Sequence, residues 1–153
     1  IMFRTMRRSD KEMTKEDTLS LLSRGQEGIL GTIGDNGYPY TVVLNYVYYQ
    51  NKVYFHCAKE GYKLDNILNN EKVSFTVYDS VTFIGDELNT LYESLVLFGR
   101  AKIVNTTHEI LMALIQKYSN IDYQKAMEMI DNKIDITSLV EIEIDHITGK
   151  KGR

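Results

Sequence analysis

The sequence predicts a mainly β, α+β chain: six antiparallel strands with flanking helices. Three observations carry that expectation. Six runs rich in β-branched and aromatic residues follow one another with turn residues between most of them, the order of consecutive hairpins. Helical periodicity is confined to a few short segments. The 153 residues are 43% apolar and 25% charged, ordinary usage for one domain with a real core, so a single domain over 1–153 is expected. Six strands in hairpin order suggest a closed or nearly closed antiparallel barrel, although an open sandwich has the same periodicity.

The elements follow in order. Thr14-Lys15-Glu16-Asp17 resembles a capping box with Asp in place of Glu, and Gly25 stands where a C-terminal cap belongs, so 14–24 is a helix. Residues 27–33 form a strand. Asp35-Asn36-Gly37 then signals a hairpin, because Asn and Gly tolerate positive φ. Residues 40–49 read as one long strand, turned by Gln50-Asn51-Lys52 into a third, 53–57. A short helix over 61–69 leads to a fourth strand, 73–78. Residues 80–92 read as a loop or the end of a hairpin. A fifth strand covers 94–104, helices cover 107–118 and 123–132, and the last strand runs 138–147. There Val140, Ile142, Ile144 and His146 share one face and Glu141, Glu143 and Asp145 the other.

Composition excludes several function classes. A formal charge of −3 gives no basic field for nucleic acid, and Arg4, Arg7 and Arg8 form only a small cluster. The single cysteine, Cys57, rules out an intrachain disulfide and fits a cytoplasmic setting. No run approaches the ~20 apolar residues of a membrane span, and the N-terminus has no apolar core for a signal peptide. His56, His108 and His146 are not spaced as a metal site, so no metal is expected.

The segment 53–69, VYFHCAKEGYKLDNILN, carries the most chemistry. An apolar strand ends in His56 and Cys57, a polar loop with Gly61 follows, and Lys63 stands in the first turn of an amphipathic helix. The open amides and dipole of a helix start favour an anion. Gly61 permits close backbone approach, and Lys63 adds a full charge. A phosphate is the natural guest, and the apolar strands upstream would floor the rest of a phosphorylated cofactor. Each residue also has a plainer reading. Lys63 could be a helix-surface lysine, Cys57 a small buried hydrophobe, and His56 a structural residue ending its strand. In the strand 40–49 neither face is charged, so both are expected to be covered: Tyr40, Val42, Leu44, Tyr46 and Tyr48 on one side, Thr41, Val43, Asn45, Val47 and Tyr49 on the other.

GTIGDNGYPYTVVLNYVYYQNKVYFHCAKEGYKLDNI, residues 31–67, resembles the FMN-binding half of the split-barrel flavoproteins, the superfamily of pyridoxamine 5′-phosphate oxidase. Met6-Arg7-Arg8, His56 within FHCAKEGYK, ESLVLFGRA over 93–101 and EIDHITGKKGR over 143–153 are similar to the nitroimidazole-resistance branch. The resemblance implies a six-stranded split barrel that binds FMN without a covalent link, at the interface of a homodimer. It places the FMN on the backbone of Thr41, Val42, Val43, Leu44 and Asn45, on His56 and Cys57, and on Tyr62 and Lys63 at the phosphate. Ser94 would come from the second subunit, and His56 would lie on the substrate side as a proton donor near neutrality.

The sequence departs from the oxidases at charged positions. Thr41 and Tyr46 replace an arginine and a substrate-binding lysine, and Tyr62 replaces a phosphate-binding arginine. Arg100, Lys102, Lys150 and Lys151 are candidates to supply the missing charge. No Gly-x-Gly-x-x-Gly fingerprint occurs, which favours FMN over FAD. The expected activity is reduction of a small electron acceptor, nitroaromatics such as 5-nitroimidazoles by resemblance. A pyridoxamine 5′-phosphate oxidase-like enzyme and a non-catalytic FMN- or haem-binding protein remain the alternatives.

Overall fold

The computed structural model describes residues 2–152. Ile1 and Arg153, the ends of the expected domain, lie outside the described residues. The elements are α1 (Lys15–Arg24), β1 (Gly28–Ile33), β2 (Pro39–Leu44), β3 (Val47–Tyr49), β4 (Lys52–Ala58), α2 (Tyr62–Asn69), β5 (Lys72–Ile84), β6 (Asn89–Val104), α3 (His108–Tyr118), α4 (Tyr123–Lys133) and β7 (Thr137–Gly152). The local signals act as expected. Thr14 Oγ1 accepts from the Asp17 N–H at 3.1 Å, and the Gly25 N–H caps α1 on Leu21 O at 2.9 Å. Gln50 and Asn51 both take positive φ, the backbone of a tight hairpin turn between β3 and β4.

The strands form one seven-stranded antiparallel sheet in the order β2-β1-β5-β6-β7-β4-β3. Six were expected. The run 40–49 is two strands, interrupted at Asn45 and Tyr46, with β2 pairing only β1 and β3 pairing only β4. The two ends of the sheet are therefore successive pieces of chain, three residues apart from Leu44 to Val47 and so no more than about 11 Å apart. The sheet must curl until its edges meet at that link, leaving a seam. That is compatible with a split barrel.

Two further expectations change. Most of the segment 80–92 is strand: β5 and β6 continue their pairing as far as Ile84 and Asn89, past an irregularity at residues 80–81 where Ser80 takes positive φ. β7 likewise runs on to Gly152 rather than stopping at 147. Its register against β6 slips between Phe98 and Gly99, so Asp145 is an extra residue. The slip changes faces. Ile144 and Ile147 pack on the barrel core, while His146 lies opposite Phe98 on the outer face, not on the core face with Val140 and Ile142.

The core has two parts. Leu21 and Leu22 of α1, Leu64 and Ile67 of α2, and the inward side chains of the sheet, among them Phe55, Phe75, Leu97 and Ile142, fill the barrel. A second cluster joins the outer face of β3, β4 and β7 (Val47, Tyr54, Leu139) to Ile110, Leu114, Ala126 and Ile130 of α3 and α4. The inward face of the run 40–49 survives the break, since Val42, Leu44, Tyr46 and Tyr48 all pack on the barrel core. The outward face divides. Val47 and Tyr49 lie under the helices, whereas Thr41, Val43 and Asn45 are exposed, Val43 at 63%. The expectation that both faces are covered thus fails for this half of the strand within one chain.

Candidate functional site

The break at Asn45-Tyr46 leaves backbone groups that no strand pairs, and α3 supplies partners. Tyr118 Oη accepts from the Tyr46 N–H at 3.1 Å and donates to Gln26 O at 2.6 Å. Lys117 Nζ donates to Tyr46 O at 2.9 Å and lies 3.7 Å above the Tyr46 ring. Asn45 Nδ2 donates to Gln26 O at 3.3 Å. Tyr46 itself is fully buried, its hydroxyl donating to Leu22 O at 2.5 Å, so it offers nothing to a ligand. The result is a fixed corner that presents β2 as an edge strand. Half the backbone groups of an edge strand face away from its one neighbour.

At the far end of β4 the chain turns into α2. Gly61 takes φ 156°, where an L side chain is strained, and no side chain caps the helix. Only the Asp65 N–H finds the Gly61 carbonyl, at 3.1 Å, so the amides of Tyr62, Lys63 and Leu64 form the open start that the sequence predicted. Lys63 is half-buried beside it. Burial pushes the Cys57 thiol above its ordinary pKa, and the Lys63 charge opposes that push. Cys57 packs on the barrel core and His56 stands exposed on the opposite face. Desolvation of part of the ring holds the His56 pKa below 6.5. The imidazole is therefore protonated less often than an unperturbed histidine at the same pH.

The α2 start and β2 are tied together. Tyr62 stacks on Tyr40 at 4.5 Å between ring centroids, with planes 5° apart. Buried Asn66 donates to buried Thr32 Oγ1 at 3.0 Å, and Thr32 Oγ1 donates to Tyr40 O at 3.5 Å. Sequence reasoning missed Tyr40, Thr32 and Asn66 as positioning residues. The one available signal was a polar Asn66 between Leu64 and Ile67 on the buried face of a short helix. A cavity of about 540 Å³ opens beside this helix start, lined by Asp35, Glu60 and Asp65 among others. Three carboxylates and no cation make it unsuited to a phosphate. The one cation at this helix start, Lys63, lies toward Cys57 of β4.

Ser94 is not brought to this site. It sits on the outer face of β6 between Tyr78 and Lys150. Further along β6, the Ala101 N–H donates to Glu71 O in the link just after α2. Seven strand residues separate the two positions, roughly 23 Å. Among the proposed compensating cations, Arg100 is held by Glu143 at 2.8 Å and Asp145 at 3.1 Å. Lys102 pairs with Glu141 at 3.5 Å and Lys151 with Glu93 at 3.8 Å. Lys150 has no carboxylate partner among the described residues and lies 5.8 Å from the centre of the Tyr92 ring. His108 is exposed and bonded to Asp131 at 2.7 Å. Among the described residues no group of three or more His, Cys, Asp or Glu is arranged to hold a metal. No described helix is long and apolar enough to cross a membrane.

A curled antiparallel sheet with a seam, an edge strand at that seam and an open helix start tied to the edge strand define a class of small, seamed antiparallel barrels. A family model for pyridoxamine 5′-phosphate oxidase matches residues 14–151, and the chain belongs to that family. No curated protein matches the sequence. Solved structures share the fold at low identity. A candidate 5-nitroimidazole antibiotic resistance protein from Bacteroides thetaiotaomicron is 19% identical with a TM-score of 0.77, over 92% of this chain and 86% of that one. A conserved hypothetical protein from Mycobacterium tuberculosis is 19% identical with a TM-score of 0.83, over 96% and 90%. A FAD-binding protein from Mesorhizobium loti is 18% identical with a TM-score of 0.66, over 94% and 96%.

Proposed function

We propose that this chain is an FMN-dependent oxidoreductase, a homodimer in the cytoplasm, that reduces small nitroaromatic compounds such as 5-nitroimidazoles. The observation that carries the reading is the uncapped start of α2, with Lys63 in its first turn, tied through Tyr62–Tyr40 and Asn66–Thr32 to the free edge of β2. One anion site beside one strand of unpaired amides and carbonyls fits a flavin mononucleotide. The amides of Tyr62, Lys63 and Leu64 and the Lys63 ammonium would hold the phosphate. The edge from Thr41 to Asn45 would meet the pyrimidine rim, whose carbonyl and N–H groups alternate as strand backbone does. A single anion site favours FMN over the two phosphates of FAD. Ser94 would join from a second copy, since within one chain it lies far from α2. When bound, a flavin supplies the hydride and electron chemistry, and the protein supplies position, electrostatics and shielding. The family membership and the name of the Bacteroides structure support this reading, and the name of the Mesorhizobium structure supports a flavin without favouring FMN.

His56 has a defined part in it. Exposed on the outer face at the end of β4, its ring can pass a proton to a bound acceptor. Its lowered pKa sets the sign: the protonated form is the donor, so turnover falls as pH rises, with a midpoint below 6.5. His56→Ala retains FMN and loses at least tenfold in rate, since general acid catalysis contributes about 10²–10⁴-fold. A wild-type rate and pH profile in the variant makes His56 structural. The test of the whole reading is to release the cofactor by heat, weigh it, and titrate the anaerobically reduced protein with a panel of nitroaromatics. FAD, or no flavin after reconstitution, ends the FMN assignment. Unchanged reduced flavin in the presence of every acceptor ends the proposed activity.

A further inference from the structure

The cavity of about 540 Å³ beside α2 has an anionic wall that the chain leaves unpaired. Asp35 comes from the turn between β1 and β2, Glu60 from the loop ahead of α2, and Asp65 from its first turn. None of the three carboxylates has an ion-pair partner among the described residues. Glu93, Glu141, Glu143 and Asp145 are by contrast each met by a Lys or Arg. The dipole of α2 accounts for an acid at its own start, but Asp35 belongs to another element. A second observation is independent of charge. Asn66, only 2% exposed, lines the same cavity. Its Nδ2 donates to Thr32 Oγ1, and Thr32 Oγ1 donates in turn to Tyr40 O, so the network fixes the amide with Oδ1 turned away from Thr32. That oxygen bonds to no described residue. It is not sealed in protein either, since His146 Nε2 is the one sealed and unpaired side-chain atom among the described residues. The small opening left to Asn66 is therefore at Oδ1, and it opens on the cavity. A buried acceptor without a partner calls for a donor.

We propose that this cavity binds a linear polyamine, its ammonium groups on the carboxylates of Asp35, Glu60 and Asp65 and one N–H donated to Asn66 Oδ1. Among the described residues no three acids converge on a single metal ion. Carboxylates spread around a cavity are matched by a ligand whose own charges are spread along a chain. Such a ligand also has a methylene stem, and Tyr62, 47% exposed and backed by Tyr40, gives that stem an apolar wall. A bare metal ion or a quaternary ammonium lacks the N–H that Asn66 Oδ1 requires. The inference stands without the flavin reading, because a chain that binds no FMN keeps the same carboxylates and the same oxygen.

The full chain is titrated by calorimetry at fixed ionic strength with spermidine, with its fully quaternised N-methyl form and with Mg²⁺. The quaternised form keeps the charges and the stem but has no N–H. Spermidine is expected to bind about tenfold more tightly than that form, the scale of one hydrogen bond to a charged group. Asp35→Asn and Glu60→Gln change exposed side chains and are each expected to weaken spermidine by about threefold, the scale of an exposed ion pair. Asn66→Leu removes the oxygen and is expected to erase the preference over the quaternised form. Should Asn66→Leu fail to fold, the wild-type comparison and the two carboxylate variants decide. No binding at millimolar spermidine overturns the proposal. So does equal affinity for the quaternised form, because the orphaned oxygen is then not read. Displacement of spermidine by Mg²⁺ at equal concentration overturns it as well, since charge alone would be recognised. An unchanged affinity in the Asp35→Asn, Glu60→Gln double variant places the ligand elsewhere and has the same consequence.

Discussion

The outer face of β6 has two halves with opposite characters. From Arg100 to Lys102 it is charged and satisfied within the chain. Arg100 meets Glu143 and Asp145, Lys102 meets Glu141, and Lys52 of β4 reaches both Glu141 and Glu143. From Ser94 to Phe98 it is uncharged and largely open, with Val96 at 37% and Phe98 at 41% exposure. The registers extend this bare half sideways as directly opposed residues: Val43, Ile29, Thr76, Val96 and Thr148 in one row, and Thr41, Gly31, Ser74, Phe98 and His146 in the next. One half of a strand is finished by its own neighbours. The other presents two rows without Lys, Arg, Asp or Glu over five strands, running to the β2 edge, a surface that suits a second copy or a flat ligand.

The largest effect is expected from placing a charge in the bare half. Val96→Glu should give a monomer at micromolar concentration with weakened flavin binding, because an unpaired charge buried in an interface costs about 3–5 kcal/mol. Sedimentation and flavin titration check it, and a flavin-loaded dimer would remove this face from the interface. Next is Lys63→Ala, where the loss of a hydrogen bond to a charged group is worth about 1.5–3 kcal/mol, read as FMN affinity. Unchanged affinity would take Lys63 out of the anion site.

The charged half should respond in stability alone. Burial pushes the Glu141 carboxyl up, but the Tyr54 hydroxyl at 3.0 Å, Lys52 and Lys102 outweigh it and the net shift is down. A carboxylate with a depressed folded pKa stabilises above its unfolded value and loses that contribution in acid. Glu141→Gln should therefore destabilise by roughly 1–2 kcal/mol near pH 7, since a charged hydrogen bond becomes a neutral one. The gap to wild type should close as pH falls below 4.5, with dimer and flavin binding unaffected. A flavin defect in this variant would mean that the two halves are coupled. The smallest effect concerns Lys117, a cation with no carboxylate partner among the described residues. Burial holds its pKa down to about 8. Between pH 8 and 10.5 the unfolded chain then binds more protons than the folded one, so this group makes stability rise with pH. Lys117→Met should flatten that rise by less than about 1 kcal/mol, given the partial exposure of the side chain. Chemical denaturation across this range measures it.

Much of the barrel was legible because its signals are local. Thr14, Gly61 and the turn at Gln50-Asn51 each declare themselves through side-chain or backbone chemistry within a few residues. The features that define the site were not local. The break at Asn45-Tyr46 has no Gly or Pro and keeps the inward alternation intact. It exists because Lys117 and Tyr118, some 70 positions on, take up the freed backbone groups. Strict alternation put His146 on the core face, since nothing in EIDHIT marks Asp145 as the extra residue. The open helix start was readable from Gly61 and Lys63. Its anchoring through Tyr40, Thr32 and Asn66 required knowing that β1, β2 and α2 meet. Ser94 shows the limit of one chain, where a residue singled out by resemblance stands far from the residues it was grouped with.

The curled sheet also dictates a timetable for synthesis. The hairpins β1–β2 and β3–β4 pair residues close in sequence and can form as soon as they leave the ribosome. Yet β4 finds its other neighbour only in β7, where Lys52 pairs with Glu143 and Ala58 with Thr137. The two hairpins, held by the Asn45-Tyr46 joint, must wait for nearly all of the remaining chain before the ring can close around its core. Through that interval the inward faces of both hairpins stay uncovered, as expected for long-range strand pairing. A nascent chain stalled before residue 137 would present an unfinished barrel, and it is at this stage that a chaperone would have the most surface to hold.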